Sequence, residues 1–374
     1  MAAIASALAA AESVVAFNSS SRSKHVFALR NRLWKRVKNS SGYDGWIKRN
    51  LRCCRSVFTK VVDLITDKWC QMHDPLYHNT TFGIVDRVAI ILHYLTHAGG
   101  FDQTAQVFST SKTRAFVYTG QVIAIINKFY LKDFVSLPET VQAWENIADG
   151  FEAFAGLPNV YGAIDGCLVP IKRFNDCEGW YCRKEFPAFN LQAAVDGNCR
   201  FMSFSLRSGS QNDKFLFNNS TFGKVAHQRI PVGGCFVADA GYKLYSHVIT
   251  PYPIHKGMSE DEAHFNWIHS RTRIVVERSF GLWKYTFRIF KTPLLQATPI
   301  QMANIVKATL ALHNMFIDLD EDASSSVAMP RLQQWMHIGG DNSDDSEQSP
   351  VDGDEAVAAR NRLKEFADNY IDRV

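Results

Sequence analysis

Three carboxylates stand where an apolar segment ends or where a helix turns inward. Asp165 follows the apolar string NVYGAI, Asp239 follows the string CFVA, and Glu277 lies 38 residues after Asp239 within a helical pattern. If the two apolar strings form neighbouring parallel strands, their aspartates meet at one edge of the sheet, where open α/β sheets place their sites. Gathered carboxylates repel one another unless a cation neutralises them. Hard oxygen donors without an accompanying His/Cys set favour Mg2+ or Mn2+ over zinc.

Two such cations about 3.5–4 Å apart can clamp a phosphodiester, activate the attacking water or 3′ hydroxyl and stabilise the leaving oxygen. The pattern therefore predicts that Asp165, Asp239 and Glu277 are both catalytic and metal-binding residues. A plainer alternative stays open from the spacing alone. In that alternative Asp165 only forms a turn, Asp239 caps a strand, and Glu277 pairs with Arg273 or Lys284 on a solvated helix face.

The segments around these carboxylates predict a mixed sheet. The string NVYGAIDGCLVPI predicts a first strand, the turn signal DGN at 196–198 predicts a hairpin, and residues 235–238 predict a further strand. Residues 264–290 and 297–316 predict two helices that pack on the sheet. The apolar positions of the first helix recur every seven residues, at Ile268, Val275, Leu282 and Ile289. This order of elements indicates an α/β domain over residues 136–316.

Residues 57–135 predict an all-α region that resembles a helix-turn-helix. The string FDQTAQVFS predicts a short helix, Ser109-Thr110-Ser111 a polar turn, and KTRAFVYTGQVIAIINKFY a longer helix capped by Ser111. Lys112 and Arg114 at the start of the longer helix are able to reach phosphates or bases. Any helical hairpin would have the same outline, which is the alternative.

The two ends of the chain differ in charge although the net charge is only +4. Residues 1–60 contain 12 basic and 2 acidic residues, whereas residues 317–356 contain 1 basic and 11 acidic residues. Such asymmetry often marks a protein that meets nucleic acid, and two solvated termini without a partner are the alternative. We expect residues 1–56 to be a basic, largely flexible arm. We expect residues 317–374 to be an acidic, disordered tail that ends in a short helix with the apolar stripe Ala359, Leu363, Phe366 and Tyr370.

Two classes of protein are disfavoured. No apolar run approaches the ~18 residues needed to cross a bilayer, so no membrane-embedded protein is expected. The eight cysteines show no C-x2-C spacing, which predicts free thiols rather than a zinc module or a disulfide framework.

Six strings, in this order, resemble the PIF/Harbinger DDE transposases and the Harbinger transposase-derived nucleases. The strings are GAIDG, NLQAAVDGNCRF, GSQND, VADAGYKLYSHVITPY, FNWIHSRTRIVVERSFGLWKYTFRIF and ALHNMF. GAIDG alone is weak, but SRTRIVVERSFG with ADAGY upstream is specific. The resemblance, which extends over residues 57–316, implies an RNase H-like fold, two Mg2+ or Mn2+ ions at Asp165, Asp239 and Glu277, and DNA strand cleavage.

The sequence departs from the family pattern at Cys167-Leu168, where a threonine and a histidine are usual. Those positions are not ligands, so the departure leaves the metal site intact and weighs slightly for an inactive derivative. Asp213 in GSQND matches a recurring family aspartate. We interpret it as the N-cap of a helix at residues 214–220 rather than as a metal ligand.

Basic residues around Glu277 are the expected phosphate contacts, because arginine forks fit phosphate oxygens. The candidates are His269, Arg271, Arg273 and Arg278, beside Lys112 and Arg114 of the helical region. Salt bridges within the protein are the competing interpretation. The resemblance further implies duplex DNA with transposon terminal repeats as substrate, a nuclear location, and a separate Myb-like protein for DNA binding and nuclear import. A homo-oligomer is also compatible with the sequence.

The leading hypothesis is a metal-dependent DDE-type endonuclease or transposase that cleaves at transposon ends, with strand transfer as a second step. The alternative is a domesticated, catalytically inactive derivative that binds DNA or protein. The presence of all three carboxylates favours the first. A subunit that depends on its Myb-like partner is a third hypothesis.

Overall fold

A five-stranded mixed sheet lies at the centre of the region that carries the three carboxylates. The structure is a computed structural model that describes residues 33–320 and 353–370. The strands are β1 Val160–Pro170, β2 Ala188–Val195, β3 Phe201–Ser208, β4 Cys235–Ala238 and β5 Val248–Ile249. Their order is β3-β2-β1-β4-β5, with β1–β2 and β2–β3 antiparallel and β1–β4 and β4–β5 parallel. The predicted mixed α/β architecture and the hairpin between β2 and β3 are confirmed.

Helices precede the sheet and pack on both sides of it. Those before β1 are α1 Leu33–Lys38, α2 Asp44–Asn50, α3 Arg55–Trp69, α4 Ile84–Thr96, α5 Gly100–Phe108, α6 Lys112–Ile125, α7 Leu131–Phe134 and α8 Val141–Ala155. Those after β3 are α9 Asp213–Asn219, α10 Thr221–Arg229, α11 Glu260–Thr286, α12 Pro299–Asp318 and α13 Gly353–Tyr370.

The basic N-terminal segment is packed from residue 33 onwards, which corrects the predicted flexible arm over residues 1–56. Trp34, Val37 and Ile47 are buried, and Trp34 Nε1 donates a hydrogen bond to Asp86 Oδ1 of α4 at 2.8 Å. The apolar residues of α1 and α2 are few and stand among basic ones, so their narrow buried stripe left no sustained periodicity in the sequence. Residues 1–32 lie outside the described part.

Helices α5 and α6 pack against each other across the turn at residues 109–111. The predicted cap is confirmed, because the side chain of Ser111 accepts from the backbone N–H of Arg114 at 3.2 Å. Ser109 adopts the left-handed conformation (φ 53°) that ends α5 and turns the chain. DNA contact by this hairpin stays a prediction.

Helix α11 begins with reciprocal capping between Ser259 and Glu262, as its sequence SEDE favours. The seven-residue pattern predicted for its buried face holds only in part. Ile268 and Val275 are buried, but Leu282 is 37% exposed and Ile289 lies beyond the helix end. A strict seven-residue repeat drifts by about 20° per repeat around a straight α-helix, which turns Leu282 away from the core.

The predicted C-terminal helix is confirmed as α13, which packs on α11 and β5. Ala359 and Leu363 of the predicted stripe are buried, whereas Phe366 is 53% exposed. The side chain of Tyr370 and residues 321–352 of the predicted acidic tail lie outside the described part.

Two further expectations concern the chain as a whole. All eight cysteines are free thiols, as predicted. Within residues 33–320 and 353–370 no helix is long and apolar enough to cross a membrane.

Candidate active site

The register between β1 and β4 brings two of the predicted carboxylates together. Ile164 of β1 pairs with Ala238 of β4, so the residues that follow, Asp165 and Asp239, leave the parallel ladder side by side. Asp165 does not close its strand as the sequence suggested, because β1 continues to Pro170 beside its antiparallel neighbour β2. The short strand β4 ends instead, and its end creates the sheet edge at which both aspartates stand.

Glu277 reaches the same edge through an arginine on its own helix. Arg273 and Glu277 are one turn apart on α11, and Arg273 Nη2 lies 2.8 Å from Glu277 Oε1. Arg273 Nη1 donates to Asp165 Oδ2 at 2.9 Å. One guanidinium therefore joins Asp165 to Glu277. The side chains of Asp165 and Arg273 are 17% and 21% exposed, and that of Glu277 is 47% exposed.

Burial and neighbouring acids both act against ionisation of the aspartates. Burial raises the pKa of Asp165 to about 7; Arg273 opposes the rise, and Asp239 and Asp213 add to it. The pKa of Asp239 is also raised by burial, again opposed by Arg273 and increased by Asp213. Burial opposes the charge of Arg273, yet Asp165, Glu277 and Asp239 together raise its pKa. Three carboxylates thus act on one guanidinium, and Asp213 adds a fourth negative charge that acts on Asp165 and Asp239.

Asp213 is the fourth carboxylate, which corrects its interpretation as a helix cap. The cap of α9 is Asn212, whose side chain accepts from the N–H of Phe215 at 2.8 Å. Asp213 Oδ1 instead accepts from Asn190 Nδ2 at 3.0 Å and lies against Gly166. A Cβ built on Gly166 would lie 2.5 Å from this oxygen, so the glycine permits the approach of Asp213 to β1.

Polar residues of β2 hold this arrangement in place. Asn190 Nδ2 donates to Gln211 O at 3.0 Å as well as to Asp213, and Gln192 Nε2 donates to Asp213 O at 3.0 Å. Gln192 Nε2 also lies 2.8 Å from the hydroxyl of the buried Tyr242, whose pKa is raised well above its usual value by burial and by the surrounding aspartates. Asn190 and Gln192 were not predicted as site residues from the sequence. They lie in a strand that is buried along its whole length, and its pattern of apolar and polar residues does not reveal a site.

The donor set has the chemistry of a hard-cation site, although its present arrangement is closed. The acidic side chains of this cluster are all carboxylates and include no Cys or His, which suits Mg2+ or Mn2+. Among the described residues, however, no three His, Cys, Asp or Glu side chains form a ready-made metal site. The contacts of Arg273 account for this arrangement, since its guanidinium stands between Asp165 and Glu277.

The predicted nucleic-acid contacts divide into available and unavailable residues. His269 is 2% exposed and its Nε2–H donates to Ile249 O at 3.0 Å, so it is a structural residue and the prediction of a DNA contact is wrong. The guanidinium groups of Arg271 and Arg278 both lie near the ring of Phe154, at 5.7 and 6.0 Å from its centroid. Arg273 is largely buried and pairs with Asp165 and Glu277, so it is not available to a phosphate in this arrangement.

The remaining two candidates lie far from the carboxylates in the chain, on α6. Lys112 forms an exposed ion pair with Asp102 at 2.9 Å, and Arg114 is exposed. An exposed pair of this kind contributes little to stability, so Lys112 can exchange Asp102 for a phosphate at low cost.

The departure from the family pattern at Cys167-Leu168 lies within β1 and outside the carboxylate cluster. Burial raises the pKa of the Cys167 thiol, so it stays protonated. The carbonyl of Leu168 accepts from Lys284 Nζ at 3.0 Å, which ties β1 to α11 seven residues after Glu277. Lys284 thus does not pair with Glu277, one of the two partners left open by the sequence.

The segment that carries these carboxylates matches a known protein family. Residues 164–314 match the family described as "DDE superfamily endonuclease". The matched segment begins at Ile164 and contains Asp165, Asp239 and Glu277. This match and the relatives below support the resemblance to the Harbinger transposase-derived nucleases. The family resemblance stated from the sequence is thereby confirmed.

The individual relatives are distant and partly covered. Proteins named "Putative nuclease HARBI1" from Mus musculus and Rattus norvegicus are 28% and 26% identical over 205 residues, which are 54% of this chain and 58% of each relative. "Protein ALP1-like" from Arabidopsis thaliana is 24% identical over 255 residues, 63% of this chain and 61% of that protein. The matches therefore span less than two thirds of the length of these relatives. No solved structure matches the chain.

Proposed function

We propose that this protein is a divalent-metal-dependent DNA endonuclease of the DDE type, with an RNase H-like catalytic domain. The observation that carries the proposal is the register of Ile164 with Ala238, which makes Asp165 and Asp239 neighbours, with Glu277 linked to Asp165 through Arg273. The strand order β3-β2-β1-β4-β5, with only the first three strands antiparallel, supports the RNase H-like assignment.

The protein residues bind and orient in this proposal. Asp165 and Asp239, with Asp213 as a further donor and Glu277 from α11, hold two Mg2+ or Mn2+ ions. When bound, the ions supply Lewis-acid activation of the attacking water or 3′ hydroxyl and charge stabilisation of the leaving oxygen. Asn190 and Gln192 orient Asp213 and Tyr242, so the donors are fixed before substrate arrives.

We propose duplex DNA with transposon terminal repeats as the substrate, reached in the nucleus. Arg271 and Arg278 on α11, and Lys112 and Arg114 on α6, are the proposed phosphate contacts. A separate Myb-like protein supplies sequence recognition in this proposal, and strand transfer through the freed 3′ hydroxyl follows hydrolysis.

A second candidate is a domesticated derivative that binds DNA or protein without cutting. The ion pairs of Arg273 favour it, because they engage the carboxylates that catalysis requires. The two candidates differ in one property, since only the nuclease nicks DNA in a metal-dependent way.

The test is the Asp239→Asn variant in a nicking assay with a supercoiled plasmid that carries the repeats flanking the gene. We expect at least a ~100-fold loss of Mg2+-dependent nicking, because the variant removes a donor oxygen and its charge. Asp63→Asn, which changes an exposed aspartate of α3, should nick like the wild type. Undiminished nicking by Asp239→Asn contradicts the proposal.

A further inference from the structure

Arg273 engages the oxygens that a cation at this site would use. Asp165 Oδ1 accepts from the backbone N–H of Gly166 at 2.7 Å, and Asp165 Oδ2 accepts from Arg273 Nη1 at 2.9 Å. Glu277 Oε1 lies 2.8 Å from Arg273 Nη2. A divalent cation bound to Asp165 Oδ2 therefore competes with the guanidinium for the same oxygen.

Because both are positively charged, the Arg273 guanidinium and a divalent cation exclude each other from Asp165. A guanidinium and a divalent cation repel each other, and the 21% exposure of Arg273 leaves little water between them to screen the repulsion. Arginine also cannot lose its proton in a protein, so this occupant leaves only by movement of its side chain. Arg273 lies on the surface of α11 that faces β1, and its side chain has the length to swing towards solvent.

We infer that Arg273 is a positioning residue that competes with the divalent cation for Asp165 and Glu277. This inference rests on the proposed function. In the absence of the cation Arg273 holds β1 and α11 together by joining their carboxylates. Cation binding breaks the Arg273–Asp165 pair, so Arg273 lowers the affinity of the site for the cation. The closed arrangement and a functional cation site are then two states of the same residues.

The test is an equilibrium Mn2+ titration of the full chain without DNA, read by the electron paramagnetic resonance signal of free Mn2+. Arg273→Gln should bind Mn2+ at least about fivefold more tightly than the wild type, which is a typical size for a coupling between competing ligands. A structural arginine would give the opposite sign, because its loss would loosen the site. A residue that only contacts phosphate would give no change.

Lys224→Gln is the control, since it removes one positive charge at an exposed position of α10 to which no role at the site is assigned. It should bind Mn2+ within about twofold of the wild type, which measures the general effect of one lost positive charge.

Thermal unfolding in EDTA gives an independent readout. Arg273→Gln should unfold at a lower temperature than the wild type and gain more from Mn2+.

Crystals of the wild-type protein with Mn2+ provide a measurement that needs no variant. We expect anomalous density at Asp165 and Asp239, with Arg273 moved away from Asp165. Mn2+ at these residues beside an intact Arg273–Asp165 pair overturns the inference and leaves the proposed function standing. If a folded Arg273→Gln variant binds Mn2+ as tightly as the wild type or more weakly, the inference is also overturned and the proposed function stands. Absence of Mn2+ binding by the wild type and by Arg273→Gln overturns both.

Discussion

The contact between Asp213 and the backbone of Gly166 decides how closely a fourth carboxylate approaches Asp165. Asp213 Oδ1 lies where a side chain at residue 166 would begin, and Asn190 holds it there. This close approach requires a glycine at residue 166, because a Cβ there would lie 2.5 Å from Asp213 Oδ1. Gly166 and Asp213 therefore belong to the site together with Asp165.

Two variants test this role of Asp213 from both sides of the contact. Asp213→Asn should weaken Mn2+ binding by about tenfold or more, because it removes a charge from the donor set. Gly166→Ala should weaken Mn2+ binding as well, because its Cβ pushes Asp213 away, and should lower the free energy of unfolding by about 1–3 kcal/mol. Equilibrium Mn2+ titration and urea unfolding measure the two effects.

Gly281→Ala is the control for the glycine substitution. A Cβ at Gly281 meets nothing within 4 Å, and the residue lies inside α11. The alanine should raise the free energy of unfolding by up to about 1 kcal/mol and leave Mn2+ binding unchanged. If Gly166→Ala behaves in the same way, the contact with Asp213 has no functional role.

Two buried histidines connect helices α11 and α12 to the sheet through hydrogen bonds. His269 of α11 donates to Ile249 O of β5, and His313 of α12 donates from Nε2 to Cys199 O in the turn before β3 at 3.0 Å. Burial lowers the pKa of each imidazole to about 4. Burial therefore keeps both imidazoles neutral at pH 7, and the Nε2–H of each donates to a backbone carbonyl.

These pKa values predict a loss of stability in mild acid. The unfolded chain binds a proton at each histidine near pH 6.5, whereas the folded chain binds it only near pH 4, so unfolding becomes more favourable as pH falls through this window. His313→Gln keeps a side-chain N–H donor and removes the titration. It should reduce the loss of unfolding free energy between pH 6.5 and 4.5 by about 2 kcal/mol, measured by urea unfolding.

Buried acids titrate in the opposite sense, so the comparison needs a control. Burial raises the pKa of Asp165 to about 7 and that of Asp196 to about 6, and each therefore favours the folded chain as pH falls. His78→Gln, which changes an exposed histidine, retains all of these groups. An identical pH dependence for His313→Gln and His78→Gln would contradict the role of His313.

Local signals in the sequence sufficed for the elements that carry the site, but not for the contacts between them. The apolar runs before Asp165 and Asp239 predicted two strands, and the helical pattern around Glu277 predicted α11. The partner of Arg273, in contrast, lies 108 residues away on β1, and the position of Asp213 depends on Asn190 of β2. Such contacts depend on sheet register and helix rotation, which short patterns do not determine.

At the scale of the whole molecule, the acidic segment 321–352 is attached to packed helices at both ends. Helix α12 precedes it, and α13 follows it and docks through buried Ala359 and Leu363. Arg360 of α13 also lies 4.0 Å from the ring centroid of Tyr252 and donates to Pro251 O at 3.2 Å. The sequence between these two helices contains seven acidic residues.

Replacement of these seven acids by Asn and Gln should strengthen binding of duplex DNA. Unlike charges attract and like charges repel over about 10 Å at 0.1 M salt, so the gain should be large at low salt and vanish near 1 M. Fluorescence anisotropy with a labelled duplex measures it at several salt concentrations. Unchanged affinity at low salt would mean that the segment only links α12 to α13.

Nicking of the repeat-bearing plasmid by the purified wild-type chain, measured with and without divalent cation, distinguishes a nuclease from a DNA-binding derivative. We expect nicked product in Mg2+ or Mn2+, none in EDTA, and recovery of nicking when Mg2+ is restored. The assay should be repeated with the Myb-like partner present, since recognition is proposed to depend on it. Specific binding of the repeats without nicking in either cation, with the partner present, would contradict a nuclease and identify a DNA-binding derivative.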